Sequence, residues 1–362
     1  MNKERMNKKY IIPTFAAIFI TALFIKNSEL TSAYVRGGLE SCFLTIIPSL
    51  FPFMVVSEIL NECGALSALG RLFGKWTEQI FGISKKSFAA VLSGLLLGFP
   101  IGTRALIGLY DKGEISEDEL HTALGFCGIP SFGFTVNVVG ISLFAQKGFG
   151  LMLYGAAIFS ALFTGCILAK RKKPFLGAVT LPPHTRQKGS AEIITGAIAS
   201  ATGATITLCA YVVFFSCLIG CLSDTIGFSP TVGALAGALL ELSTGATASA
   251  DVSGRVGIAL VGFTVGWSGL SVHFQTMALA GARIKSYARY FAQKLFQGVL
   301  CAALALGYSM LTGFDASCSS SGVSAFVPIF TPEYTAIIIV SFMLCVIASA
   351  KSKKALAYDR FS

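Results

Sequence analysis

Long apolar runs separated by short basic or glycine-bearing stretches set the pattern along this chain. Seven of them approach the ~20 residues a helix needs to cross hydrocarbon: Tyr10–Ile25, Leu39–Leu60, Ser87–Tyr110, Leu151–Ala169, Ala204–Leu222, Tyr290–Leu311 and Thr335–Ala350. The alternating ~10-residue segments of a membrane barrel are absent. The pattern therefore predicts helices throughout. One run has a defect: "LLLGFPIGTRA" (Leu95–Ala105) puts Gly98, Pro100, Gly102 and Arg104 where lipid-facing helix is expected. Proline removes a backbone donor and glycine permits reversal. Polar groups freed by such a break cannot face lipid. The stretch is predicted to be the tip of a re-entrant hairpin.

Charge supplies the topology. The basic segments Lys3–Lys9, Arg71–Lys86, Lys170–Lys188, Arg283–Lys294 and Lys351–Lys354 belong together on the cytoplasmic side. An even number of crossings must then separate Lys86 from Lys170, yet three apolar segments lie between them. The count closes if Ser87–Tyr110 enters and leaves on one side. The same accounting makes Pro230–Ala250 a hairpin from the opposite side, with Leu120–Ala145 and Gly254–Ala282 as interrupted crossings. The expectation is an all-α polytopic membrane protein with about eight crossings, two hairpins and both termini cytoplasmic.

Composition agrees. Of 362 residues, 54% are hydrophobic and 13% charged, with a mean hydropathy of +0.73, against about 25% charged in soluble domains. The net charge of +10 reflects short cytoplasmic loops, so nucleic acid is not an expected partner. No small-x-small site follows Ile25, and the first span is read as retained. The ten cysteines are scattered singly. Cys209, Cys217 and Cys221 share a helix face, and all ten are read as small core hydrophobes. His121, His184 and His273 lie far apart, so neither a metal nor a cofactor is expected.

The chain also repeats itself. "GFCGIPSFGFTVNVVG" (Gly125–Gly140) matches "GWSGLSVHFQTMALAG" (Gly266–Gly281) at three glycines, with Thr135 opposite Thr276. Upstream, "GFPIGTR" pairs loosely with "ELSTGAT", Gly102 opposite Gly245. By the charge count the two copies are inverted, the architecture of secondary transporters with solute held where the breaks meet. The expected division is a first helix (1–36), a first repeat (37–169), a basic linker (170–190), an inverted second repeat (191–312) and a C-terminal loop, helix and basic tail (313–362).

"LSGLLLGFPIGTR", "ISEDELHTALGFCGIPSFGF", "ELSTGA" and "GWSGLSVHFQ", in that order, resemble the YlbJ-like sporulation integral membrane proteins of the nucleoside-recognition, or Gate-domain, group. The resemblance spans roughly Gly37 to Leu311. It implies a multi-pass protein of the bacterial inner membrane, placed in the forespore outer membrane and bringing in dipicolinic acid during sporulation. The wider group includes nucleoside transporters, so a nucleoside-type solute stands as the alternative. A structural or assembly protein of the spore envelope is the other. No G-x-S-x-G elbow, Walker, zincin or redox motif points to an enzyme.

The candidate binders of a small anionic solute flank the breaks: Gly98, Pro100, Gly102, Thr103, Arg104, Ser131, Glu241, Thr244, Gly245, Ser271, His273 and Gln275. Arg104 falls in the first turn of a new half-helix and adds to its positive end, a combination suited to an anion. Glu241 is an acid in apolar context. It is read as a proton or ion carrier, or as the partner of Arg104. His273 and Gln275 are two residues apart, some 200° on a helix, so one at most need face the solute. Ser116 and Glu119 form a capping box, and Glu40 and Glu58 are placed at headgroup level. Lipid is the other expected partner, and a homo-oligomer is compatible with all of this.

Overall fold

Helices follow the apolar runs, and the chain breaks where glycine and proline interrupt them. The computed structural model describes residues 8–63, 74–168 and 189–315, and every regular element within them is helical. These are α1 (Lys8–Lys26), α2 (Ser28–Ser41), α3 (Ile47–Glu62), α4 (Gly74–Phe81), α5 (Lys85–Leu97), α6 (Ile101–Asp111), α7 (Glu117–Cys127), α8 (Gly133–Leu143), α9 (Lys147–Leu168), α10 (Ser190–Ile226), α11 (Pro230–Leu240), α12 (Leu242–Ala250), α13 (Gly254–Trp267), α14 (Gly269–Ala280) and α15 (Ala288–Thr312). α8 is wound as a π-helix, as is Cys42–Ile46 between α2 and α3. Large apolar side chains point outward on many faces, among them Phe15, Phe159, Ile206, Val299 and Leu311. A soluble monomer rarely exposes so much apolar surface, whereas a bilayer covers it.

Four stretches of the described residues are long and apolar enough to cross a membrane: Lys147–Ile167, Ser190–Ile226, Gly254–Arg283 and Ala288–Thr312. The pair Ser28–Ile46 and Leu50–Leu60, bent by 57°, makes a fifth if taken as one span. The described residues thus hold four or five of the about eight expected crossings. The apolar part of α1, Pro13–Lys26, is short, and Leu120–Ala145 splits into α7 and α8. The expected span Thr335–Ala350 and all but the end of the 170–190 linker lie outside the described residues.

Both hairpins are present as antiparallel helix pairs. Ser84 starts α5 by accepting from Ser87 N–H at 3.3 Å. The chain then turns at Gly98 (φ +88°) and the cis Phe99–Pro100 peptide, and returns as α6. The arms meet backbone to backbone: a Cβ on Gly102 would lie 2.6 Å from Gly94 Cα and from the Ala90 carbonyl. Their outer ends are joined by Lys86 and Glu114 at 2.7 Å. In the second hairpin, Ser229 caps α11 and Pro230 stands at its first turn. Gly245 on α12 is so close to α11 that a Cβ would lie 2.6 Å from Ala238 Cα.

The helix α10 orients the two hairpins. Arg104 of α6 reaches Ser200 in its first third, and Thr244 of α12 reaches Ser216 in its last third. Those serines are about 24 Å apart at ~1.5 Å per residue, so the two tips meet α10 at different levels. At the outer end of the first hairpin, Arg283 grips Asp111 with two bonds of 2.6 and 2.8 Å, and Lys285 pairs with Glu117 at 3.1 Å. The guanidinium holds the Asp111 carboxyl below the usual carboxylate range. Basic residues near 85 and near 285 therefore share one end of the molecule. Half of the expected capping box forms there. Glu119 N–H donates to Ser116 Oγ at 3.2 Å, but the Glu119 carboxylate crosses to Ser84 N–H and Ser87 Oγ.

Candidate functional site

Each hairpin tip is docked into the break of an interrupted helix, and the freed backbone groups find partners there. In the first half, Phe99 N–H donates to the Ile129 carbonyl at 3.1 Å, and Gly98 is pressed against Ser131. In the second, Gly269 (φ +78°) leaves room for the Glu241–Leu242 backbone, which a Cβ would meet at 2.8–3.0 Å. Side chains satisfy the last carbonyls of the first arms. Tyr154 Oη donates to Leu95 at 2.8 Å, and Trp267 Nε1 donates to Leu239 at 3.0 Å. Broken helix inside a bilayer requires such closure.

Four half-helices begin at these tips and breaks, and they differ in what covers their N-termini. Glu241 caps α12, its Oε2 accepting from Thr244 N–H at 2.7 Å. Ser131 caps α8, its Oγ accepting from Phe134 N–H at 3.3 Å. The residues that precede α6 and α14, Pro100 and Ser268, make no side-chain cap. α6 and α14 are in contact, and the Asp111–Arg283 grip joins their C-terminal ends. Each uncapped start carries roughly +0.5 charge and free N–H groups, which together suit an anion.

The candidate residues distribute around this pair. Thr103 and Ser271 are buried in the first turns of α6 and α14. Neither hydroxyl has a hydrogen-bond partner among the described residues. Gly98, Pro100 and Gly102 build the first tip, while Gly102 and Gly245 face the opposite arm of their own hairpin. Thr244 Oγ1 shares a hydrogen bond with Ser216 at 2.7 Å. His273 is fully buried, its Nδ1 at 2.9 Å from Tyr290 Oη and its ring edge-on to Trp267. It therefore faces α15 rather than the tips, and its Nε2 has no partner. Gln275 is buried.

Two expectations about charge need correction. Arg104 does not pair with Glu241. Its Nη1 lies 3.3 Å from Glu58 and 2.9 Å from Ser200 Oγ, which in turn donates to Glu58 at 2.9 Å. Glu58 is therefore an internal partner and not a headgroup residue, because α3 and α10 bring it against α6. Lys294, assigned above to a cytoplasmic basic segment, lies inside the candidate span of α15 and is 2% exposed. Its Nζ donates to the Gly128 carbonyl at the end of α7 and to Gln297 Oε1 at 3.0 Å. Gln293 and Gln297 beside it are equally buried, and the Gln293 amide and Gln297 Nε2 lack partners among the described residues. Spacing held the signal: Tyr290, Gln293, Lys294, Gln297, Cys301, Ala305 and Ser309 form one buried stripe of α15.

Comparison with known proteins agrees with this picture. Residues 43–169 match the family model Gate, described as nucleoside recognition. The chain is 23% identical over 344 residues to the sporulation integral membrane protein YlbJ of Bacillus subtilis (strain 168), with 84% of each chain covered. The motif-based likeness is thereby borne out. Among solved structures, the fold is similar to CNTnw in two states. For a variant in an intermediate state, the TM-score is 0.51 at 14% identity, covering 84% of this chain and 86% of that one. For an inward-facing substrate-bound state, it is 0.50 at 14% identity, covering 87% and 94%. Residues 43–169 thus match the Gate model within a chain of apolar helices whose fold is similar to that of CNTnw.

Proposed function

We propose, with the nucleoside-recognition Gate match of residues 43–169 as premise, that this protein is a permease for a small anionic solute in the bacterial cell membrane. The acid group of the solute sits between the N-termini of α6 and α14, facing the Thr103 and Ser271 hydroxyls. One observation carries this reading: two half-helix N-termini are covered by Glu241 and Ser131, and those of α6 and α14, two helices in contact, are not. An uncapped positive end favours an anion, and here two such ends belong to helices in contact. Arg104 raises the local positive potential, and Glu58 tempers it so that the solute is not held too tightly. The inverted repeat gives the alternating motion, each hairpin rocking against its break.

A planar dicarboxylate such as dipicolinic acid fits two N-termini and two hydroxyls, and the sporulation relative makes the forespore outer membrane the proposed location. A nucleoside-type solute is the second reading, favoured by the description of the Gate model and by the unpaired Gln293 amide and Gln297 Nε2. Proteoliposomes loaded with the purified protein decide between them. Dipicolinate uptake is expected above that of nucleosides and of aliphatic dicarboxylates. The Thr103→Val, Ser271→Ala double variant should lose about tenfold in uptake, the worth of ~1.4 kcal/mol of hydrogen bonding, with its unfolding midpoint kept. Uptake of nucleosides alone would establish the second reading. Uptake of nothing, with sporulation intact in the same variant, would assign the protein to spore-envelope structure.

A further inference from the structure

The carbonyl of Gly128 ends α7 inside the protein. Such a half-helix C-terminus carries roughly half a negative charge, and in interrupted membrane helices these ends and unwound carbonyls hold monovalent cations. Two carbonyls are exposed by this break. Phe99 N–H of the first hairpin takes Ile129 O at 3.1 Å. The ammonium of Lys294 takes Gly128 O and spans to Gln297 Oε1 at 3.0 Å. Lys294 makes no ion pair with a carboxylate among the described residues. A buried ammonium is costly unless carbonyl or carboxylate oxygens surround it, and here those oxygens belong to the break itself. Gly128 is open on the side of Lys294, where a Cβ would lie 4.0 Å from Nζ.

We propose that Lys294 is a resident cation. Its tethered ammonium occupies the position of an inorganic monovalent ion at the α7–α8 break, ties that break to α15, and frees the protein from any need for sodium. The transport consequence rests on the permease reading, whereas the effect on stability needs no solute.

Thermal unfolding of the purified full-length protein provides the test, in N-methyl-D-glucamine chloride against sodium, potassium and lithium chloride at equal ionic strength. The wild-type midpoint is expected to be the same in all four. Lys294→Ala should unfold several degrees lower in N-methyl-D-glucamine and recover, saturably, with sodium or methylammonium. Lys294→Met, whose methyl group fills the space, should be lowered and not recover. A wild-type midpoint that rises specifically with sodium would overturn the proposal. So would a Lys294→Met protein as stable as wild type. If Lys294→Ala yields no folded protein, the wild-type salt series and Lys294→Met still decide. In liposomes, wild-type uptake should be unchanged when the sodium gradient is removed. Uptake lost in Lys294→Met at unchanged stability would instead make Lys294 a solute ligand and refute the resident-cation role. Should no solute be taken up at all, the unfolding arms remain decisive.

Discussion

Arg104 stands in the first turn of a half-helix whose end is already positive, so its charge calls for a negative neighbour. Glu58 answers, with Ser200 hydrogen-bonded to both. Glu58 is the more enclosed member, its side chain 13% exposed against 36% for Arg104. Arg104→Gln should therefore cost stability mainly by stranding that carboxylate. Glu58→Gln should cost less, and the double variant should recover part of the loss. Half-open geometry limits the coupling to about 1 kcal/mol. A double-mutant cycle in unfolding midpoints measures it, and strictly additive effects would show the pair to be incidental. The sequence announced Arg104 through its setting, but it placed Glu58 at headgroup level and offered Glu241 as the partner of Arg104. Glu58 sits near the end of an apolar run, where a headgroup residue looks the same. Glu241 sits mid-run, but its carboxylate closes on Thr244 N–H, within reach of its own chain. Linear position specifies that a charge needs a partner; only packing specifies which.

At the scale of elements, glycine sets how closely hairpin arms approach. Gly102 and Gly245 each lie on the arm after a reversal, and each would drive a Cβ to 2.6 Å from opposing backbone. Gly108 lies on the same arm as Gly102 and has nothing within 4 Å of that position. Gly102→Ala and Gly245→Ala are thus expected to destabilise by about 1–3 kcal/mol through overpacking. Gly108→Ala should be neutral or stabilising by up to about 1 kcal/mol, since alanine is the better helix former. Calorimetry or thermal unfolding in detergent compares the three, and an equal response would remove the close-packed hairpin. The breaks themselves were legible, because Gly98, Pro100 and the glycines near 268 cannot be read as uninterrupted helix. What fills each break was not legible. Phe99 N–H on Ile129 O, Tyr154 on Leu95 and Lys294 on Gly128 all join residues at least thirty positions apart. Counting charges by loop gave the hairpins their sides, yet the same count mistook Lys294 for a loop residue, since sign carries no information about depth.

For the whole molecule, the charge count expects the two hairpins to open on opposite faces of the membrane. The first has Lys86 and Glu114 paired at its mouth, beside Asp111, Arg283 and Lys285. The second opens near Ser229 and Asp251, beyond the far end of α10. By the charge rule the first mouth is expected in the cytoplasm, because two basic segments converge on it. In a background with the native cysteines replaced, cysteine at Lys85 or Lys112 should react with an impermeant maleimide only after the membrane is opened. Cysteine at Ser229 or Ser253 should react in intact cells. Labelling of all four from one side would leave the helix pairs intact but remove their inversion. The two uncapped ends of α6 and α14 would then lack the counter-moving partner that alternating access requires, and a fixed binding site would be the most this fold could offer.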